Sequence, residues 1–214
     1  MITVKYSKLY YSRFLSHLDL QTIINRALKR AGFIVNYSQG FNPHPILKMS
    51  PPIPLGIKSS AEYFTADLLV QNKEYFLDKL QATLPEGIKL NAFWTTETQP
   101  RIAALSVNTG YSFKNLDKYV VKKILEEEQS IACEFNSVPE GLKILEDLGG
   151  GLFIVLPSGK NNIRIDTFIS FLREKFSLHQ TVIDVEKTIL FLSYDNEIVN
   201  ADKYLDFLSK KSLF

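Results

Sequence analysis

The sequence predicts an α+β protein built from two successive βαββαβ halves. Three observations carry that prediction. Alternating apolar and polar segments bracket stretches with helical spacing, and the order strand, helix, strand, strand, helix, strand is met twice. A polar, proline-containing stretch, Thr96 to Arg101, separates the two runs. The first half is assigned to residues 1–96 and the second to residues 102–214. A chain of 214 residues suits two small domains. With 45% hydrophobic and 22% charged residues, each half can bury a core without a metal or disulfide staple.

The first half opens on Ile2, Val4 and Tyr6 alternating with Thr3, Lys5 and Ser7, which reads as a strand. Ser16 then stands as an N-cap with Asp19 three residues on, a capping-box spacing. Leu20, Ile24, Ala27, Leu28 and Ala31 share one helical face, and Gly32 supplies the stop. Phe33 to Tyr37 reads as a short strand. Ser38 to Pro45 is irregular, because Pro43 and Pro45 exclude a regular helix or a central strand. Ile46 to Ser50 resumes extended structure, and Pro51 to Gly56 is a second rigid turn. A strand over Ser60 to Val70, a helix over Lys73 to Leu84 and a strand over Ile88 to Thr95 complete the half.

The second half repeats the order. A strand is predicted over Ile102 to Phe113 and a helix over Asn115 to Glu128. Strand-like pieces follow at Ser130 to Phe135, Leu142 to Glu146 and Leu152 to Leu156, with Gly149-Gly150-Gly151 as a turn. A helix over Arg164 to Phe176, a strand over Val182 to Ser193 and a tail helix over Ala201 to Ser209 close the chain. Two such halves make a tandem ferredoxin-like arrangement, in which each four-stranded antiparallel sheet carries two helices on one face. The open faces of such sheets serve RNA recognition in other proteins.

Charge is nearly balanced, 25 basic against 23 acidic residues, so bulk charge does not indicate a nucleic-acid binder. Its distribution is uneven. Before residue 61, Lys5, Lys8, Arg13, Arg26, Lys29, Arg30, Lys48 and Lys58 face one acid, Asp19. That asymmetry points to an anionic partner for the first half. The single cysteine, Cys133, excludes an intramolecular disulfide and a self-held iron–sulfur cluster, and its apolar neighbours predict a buried position. No window has the length and apolarity of a membrane span, and a cytoplasmic location is expected.

Two segments hold the candidate chemistry. Arg13-Phe14-Leu15-Ser16-His17-Leu18-Asp19-Leu20 crosses a strand-to-helix junction, where free N–H groups and the helix dipole favour an anion. Capping by Ser16 and Asp19 leaves His17 as a donor or proton shuttle. Tyr37-Ser38-Gln39-Gly40-Phe41-Asn42-Pro43-His44-Pro45 is the second segment. Asn42 and His44 between prolines are held at low entropic cost, which suits preorganised contacts. Tyr37 and Phe41 either stack on a base or pack beneath the loop as a plug.

His17, Asp19 and His44 are a valid ligand set by type, but their spacing does not bring them together, and neither a metal nor a cofactor is assigned. No Gly-x-Ser-x-Gly elbow, P-loop or Gly-x-Gly-x-x-Gly fingerprint is present. Pro157 to Asn162, with Arg164, is a weaker anion-site candidate, and His179 receives no role.

Arg13 to Asp19, Tyr37 to Pro45, and Pro54-Leu55-Gly56 followed by Glu62-Tyr63 resemble the radical-SAM-linked family of uncharacterised bacterial domains. Members of that family occur alone or fused behind a cobalamin-binding radical SAM enzyme. The resemblance implies a radical SAM protein as partner, which would supply the cluster that a chain with one cysteine does not hold. It implies no catalytic residue.

The leading expectation is a non-catalytic accessory module that binds structured or ribosome-associated RNA, or a ribonucleoprotein, alongside that partner. Arg13, Arg26, Lys29, Arg30 and Lys48 would contact phosphates. Tyr37 and Phe41 would stack, and Asn42 and His44 would read a base edge or sugar. The rival is a metal-independent ribonuclease, or another phosphate-chemistry enzyme, using His17 and His44 as acid and base near Asp19. A third reading is a protein-interaction domain without nucleic acid.

Overall fold

The computed structural model describes residues 1–135, 142–147, 149–158, 162–178 and 182–211. The chain is a mixed α/β protein of two compact units. One comprises Met1–Leu105 with Ala201–Phe214, and the other Ser106–Asn200.

In the first unit, β1 (Ile2–Lys8) pairs antiparallel with both β3 (Lys58–Ala66) and β4 (Ile88–Thr95). The short β2 (Leu47–Met49) pairs antiparallel with β3, so the order is β4-β1-β3-β2. Alternation along the strands decides the faces. Ile2, Val4 and Tyr6 join Phe64 and Ala66 in one core with Leu20, Ile24, Ala27 and Leu28 of α1 (His17–Arg30) and Phe76 and Leu80 of α2 (Lys73–Gln81). The helix starts as its cap residues require, and Gly32 beyond its end takes φ +84°.

The opposite sheet face is also covered. It presents Thr3, Lys5, Tyr63 and Trp94, and α7 (Ala201–Lys211) bonds to it. The Lys5 ammonium and the Tyr63 hydroxyl both donate to Asp202, at 2.6 and 2.7 Å, and the Trp94 indole donates to Asp206 at 2.7 Å. Bases therefore cannot stack on this part of the sheet, as they do on the open sheets of RNA-recognition domains.

In the second unit, β5 (Ser106–Lys114) lies between β7 (Leu152–Pro157) and β8 (Asp184–Tyr194). β6 (Lys143–Glu146) adds to β7 and β9 (Glu197–Asn200) to β8, which gives β9-β8-β5-β7-β6 with every ladder antiparallel. Phe113 of β5 meets Phe168 of α6 (Ile165–Lys175) edge-on at 6.4 Å. The strand predicted at Ser130 to Phe135 is instead helical. It forms α5 (Glu128–Glu134), after α4 (Lys118–Glu126). This corrects the placement of Cys133, which is exposed. A helix turns about 100° per residue, so Cys133 points away from buried Ile131, whereas a strand would have put both on one side.

Two further segments differ from expectation. Phe33 to Tyr37 forms no ladder strand, only a bridge between Tyr37 and Pro45. A four-residue helix, α3 (Ile102–Leu105), precedes β5 where a strand was predicted to begin. Within the candidate loop at Pro157 to Asn162, residues 159–161 lie outside the described residues, as does His179. Arg164 beside that loop is exposed and pairs with Asp166. Among the described residues no helix is long and apolar enough to cross a membrane.

Candidate nucleic-acid interface

The Tyr37–Pro45 segment projects between two zipped arms. The Asn36 N–H donates to Asp67 O at 2.8 Å, the Ile46 N–H to Asn36 O at 2.8 Å, and the Asp67 N–H to Ile46 O at 3.1 Å. Pro43 and Pro45 have no N–H, so the arms cannot extend into a ladder and the chain leaves the sheet. One rung closes the loop base, from the Ser38 N–H to His44 O at 2.9 Å. The Ser38 hydroxyl oxygen accepts from the His44 N–H at 3.1 Å and also meets His44 Nδ1 at 3.1 Å, while Nδ1 lies 3.3 Å from Asn42 O. His44 thus fastens its own loop. At the tip Gly40 adopts φ +137°, a conformation side chains resist.

The loop displays its aromatic residue. Phe41 is 105% exposed, which rules out the plug reading. Tyr37 at the loop base is partly exposed, and the Lys29 ammonium sits 5.6 Å from its ring centroid, a cation–π distance. Arg26, Lys29 and Arg30 are all exposed on α1, and their spacing of three and four places Arg26 beside the other two. Arg30 is partly engaged, donating to Thr83 O at 2.7 Å. The structure therefore gathers Lys29 with Tyr37, and keeps Phe41, Asn42 and His44 exposed on the same loop.

Other predicted members stand elsewhere. Arg13 belongs to a 3₁₀ turn, Tyr10–Phe14, with its guanidinium 4.9 Å from the Phe14 ring. That turn is anchored where the Leu9 N–H donates to Gly87 O at 2.8 Å. A Cβ on Gly87 would lie 2.4 Å from Leu9 O, so only glycine fits there. Lys48 lies on β2 and lines a cavity that none of the loop residues joins. Two of the other cations counted in the charge asymmetry are used internally. Lys8 is buried and donates to Leu15 O at 2.8 Å, and Lys5 pairs with Asp202. The excess positive charge offered outward is correspondingly smaller than the sequence suggests.

His17 sits half-buried in the first turn of α1. Ser16 and Asp19 complete the capping box, with the Asp19 N–H donating to Ser16 Oγ at 3.1 Å and the Ser16 N–H to Asp19 Oδ2 at 3.2 Å. The Ser16 hydroxyl adds a bond to Asp19 Oδ2 at 2.7 Å, and these contacts lower the Asp19 carboxyl below its ordinary value. Asp19 is thereby committed to the cap. The hydrogen bonds of the His44 ring go to Ser38 and Asn42, not to His17. Among the described residues no three His, Cys, Asp or Glu side chains gather where they could hold a metal ion.

Sequence reasoning missed an apolar surface beside His17. Tyr10, Tyr11, Phe14, Leu18 and Leu55 are all exposed, and the Gly56 N–H donates to Arg13 O at 3.0 Å, tying the two segments together. The paired tyrosines ahead of the helix cap were the available signal. Gln99 and Arg101 were also missed, because a polar stretch between halves reads as a linker.

The family described as "Uncharacterized protein conserved in bacteria (DUF2344)" matches residues 1–139. No curated protein matches the chain. A solved structure described as an unknown protein from Galdieria sulphuraria is similar over 87% of this chain and 96% of its own, at 12% identity and a TM-score of 0.25.

Proposed function

The chain belongs to this family of uncharacterized bacterial proteins, DUF2344, and we propose that it is a cytoplasmic, non-catalytic accessory module that binds RNA or a ribonucleoprotein beside a radical SAM partner. The observation that carries the RNA reading is Phe41, exposed on a proline-framed loop whose base is pinned by His44 and flanked by Lys29 over Tyr37. An exposed ring on a preorganised loop costs little entropy to bind, and every base offers it a π-face. Arg26, Lys29 and Arg30 supply the phosphate contacts, and Asn42 the polar contact to a base edge or sugar. Arg13 and Lys48 fall outside this group.

The radical SAM partner rests on the motif resemblance across the first seventy or so residues, with which the single cysteine, too few for a cluster, agrees. The strand orders β4-β1-β3-β2 and β8-β5-β7-β6, each with helical crossovers, support reading both units as ferredoxin-like. A ribonuclease that uses His17 and His44 together would need the two rings to share a substrate, and the hydrogen bonds of the His44 ring go to Ser38 and Asn42.

Fluorescence anisotropy with small structured RNAs at several salt concentrations tests the proposal. Micromolar binding that weakens with salt is expected, with Phe41→Ala about tenfold weaker, within the range of one lost stack. Lys29→Glu should flatten the salt dependence. Absence of binding at low salt, or a Phe41→Ala variant as tight as the wild type, overturns the reading.

A further inference from the structure

A cavity of about 210 Å³ opens in the first unit between β2, the β3 residues Tyr63 and Thr65, and the segment from Gln99 to Ala104. Its hydroxyls are already used. Thr65 Oγ1 meets Thr3 Oγ1 at 3.0 Å, the Ser50 hydroxyl donates to Glu62 at 3.1 Å, and the Tyr63 hydroxyl donates to Asp202. Three polar groups of the lining remain. The Gln99 amide nitrogen is buried and has no hydrogen-bond partner. Lys48 and Arg101 are exposed, and neither forms an ion pair among the described residues.

All three spare groups are donors, two carry positive charge, and no acidic residue lines the cavity. A buried amide N–H left unpaired is unfavourable, and an oxyanion entering between the two cations would satisfy it. The Arg101 guanidinium matches the geometry of carboxylate or phosphate oxygens. The remaining wall is apolar, formed chiefly by Met49, Ile102 and Ala103, and suits a hydrocarbon body. The volume lies below the range of about 300–1,000 Å³ typical of drug-sized sites, so a whole nucleotide is too large.

The geometry points to a binding site for a small organic oxyanion, a carboxylate or phosphate monoester on a short apolar body. The anion is held by Lys48, Arg101 and the Gln99 amide, and the body rests on Met49 and Ile102. This site is independent of the RNA reading, since Phe41 and Lys29 are not part of it. It also gives Lys48 a role that the loop does not.

Titration of the full chain with benzoate and with phenyl phosphate tests the inference, read by calorimetry and by the lone Trp94. That ring lies 6.4 Å from the Tyr63 ring, which borders the cavity. Saturable binding of at least one probe at millimolar affinity or better is expected, and the tighter of the two identifies the anion. Lys48→Glu and Arg101→Glu each weaken it tenfold or more, and Gln99→Glu abolishes it by placing a like charge in the cavity. Phe41→Ala leaves it unchanged. Lys48 and Arg101 are exposed, so their variants remain decisive even if Gln99→Glu fails to fold. No binding of either probe, or equal binding by the Arg101→Glu variant, overturns the inference.

Discussion

Asp19 shows how a single carboxylate can be read two ways until its partners are known. Its bonds to the Ser16 hydroxyl and N–H lower its pKa below the ordinary 3.8. A carboxyl lowered by folding stabilises the protein above its unfolded pKa, and that contribution is lost as pH falls through the folded value. Asp19→Ala should therefore lower the urea midpoint at pH 7, with the gap from wild type narrowing toward pH 3. A gap independent of pH would show that the carboxylate charge is not the source. Tyr63 is the buried counterpart. Burial first, then the Asp202 carboxylate, pushes its phenol well above the ordinary range, so it remains a donor. Tyr63→Phe removes a part-buried bond to a charged acceptor and should cost about 1.5 kcal/mol in denaturant unfolding, the exposure of Asp202 screening a larger value. The capping box was legible in the sequence because its partners are three residues apart. The Tyr63–Asp202 bond was not, because its partners are 139 residues apart.

At the scale of elements, local periodicity located most strands and helices but failed where two periods coincide. Ile131 and Phe135 are four apart, a spacing that suits one face of a strand or of a helix. The structure resolves the ambiguity through packing, since the Phe135 ring lies 5.4 Å from Phe168 and 5.0 Å from Phe171 on α6. The short β9 was missed because its hairpin turns on Asp195 and Asn196, with φ of +52° and +62°, and not on a glycine. In the candidate site, the prolines made the Tyr37–Pro45 loop visible in the sequence. The cavity was hidden because Lys48 and Arg101 come from segments 53 residues apart, joined only by the fold. The docking of α7 has a direct optical test. Trp94 is the single tryptophan, and its indole N–H donates to Asp206. Asp206→Ala should shift Trp94 emission and cost about 1 kcal/mol, the partial exposure of the pair screening a larger value. An unchanged emission spectrum would mean that this bond does not hold the helix end in solution.

The path of the whole chain explains why the first unit cannot be cut from the sequence as one block. It comprises Met1–Leu105 with Ala201–Phe214, and the second unit is inserted between them. The ends of that insertion are close. Ser106 pairs with Leu192 on one side of β8, and Val199 pairs with the same Leu192 on the other. Two inter-strand spacings put them about 10 Å apart. A flexible linker of about four residues spans such a gap. Joining Leu105 to Ala201 through a Gly/Ser linker of that length should restore α7 to its donors on the first sheet, Lys5, Tyr63 and Trp94. A fragment ending at Leu105 leaves Tyr63 and Trp94, both otherwise buried, without that cover. The linked chain is therefore expected to keep the Trp94 emission of the full protein and unfold cooperatively in urea, at a higher midpoint than the fragment. Equal midpoints and equal emission for the two would show that α7 contributes nothing to the first unit, and would undo the account of its sheet as covered on both faces.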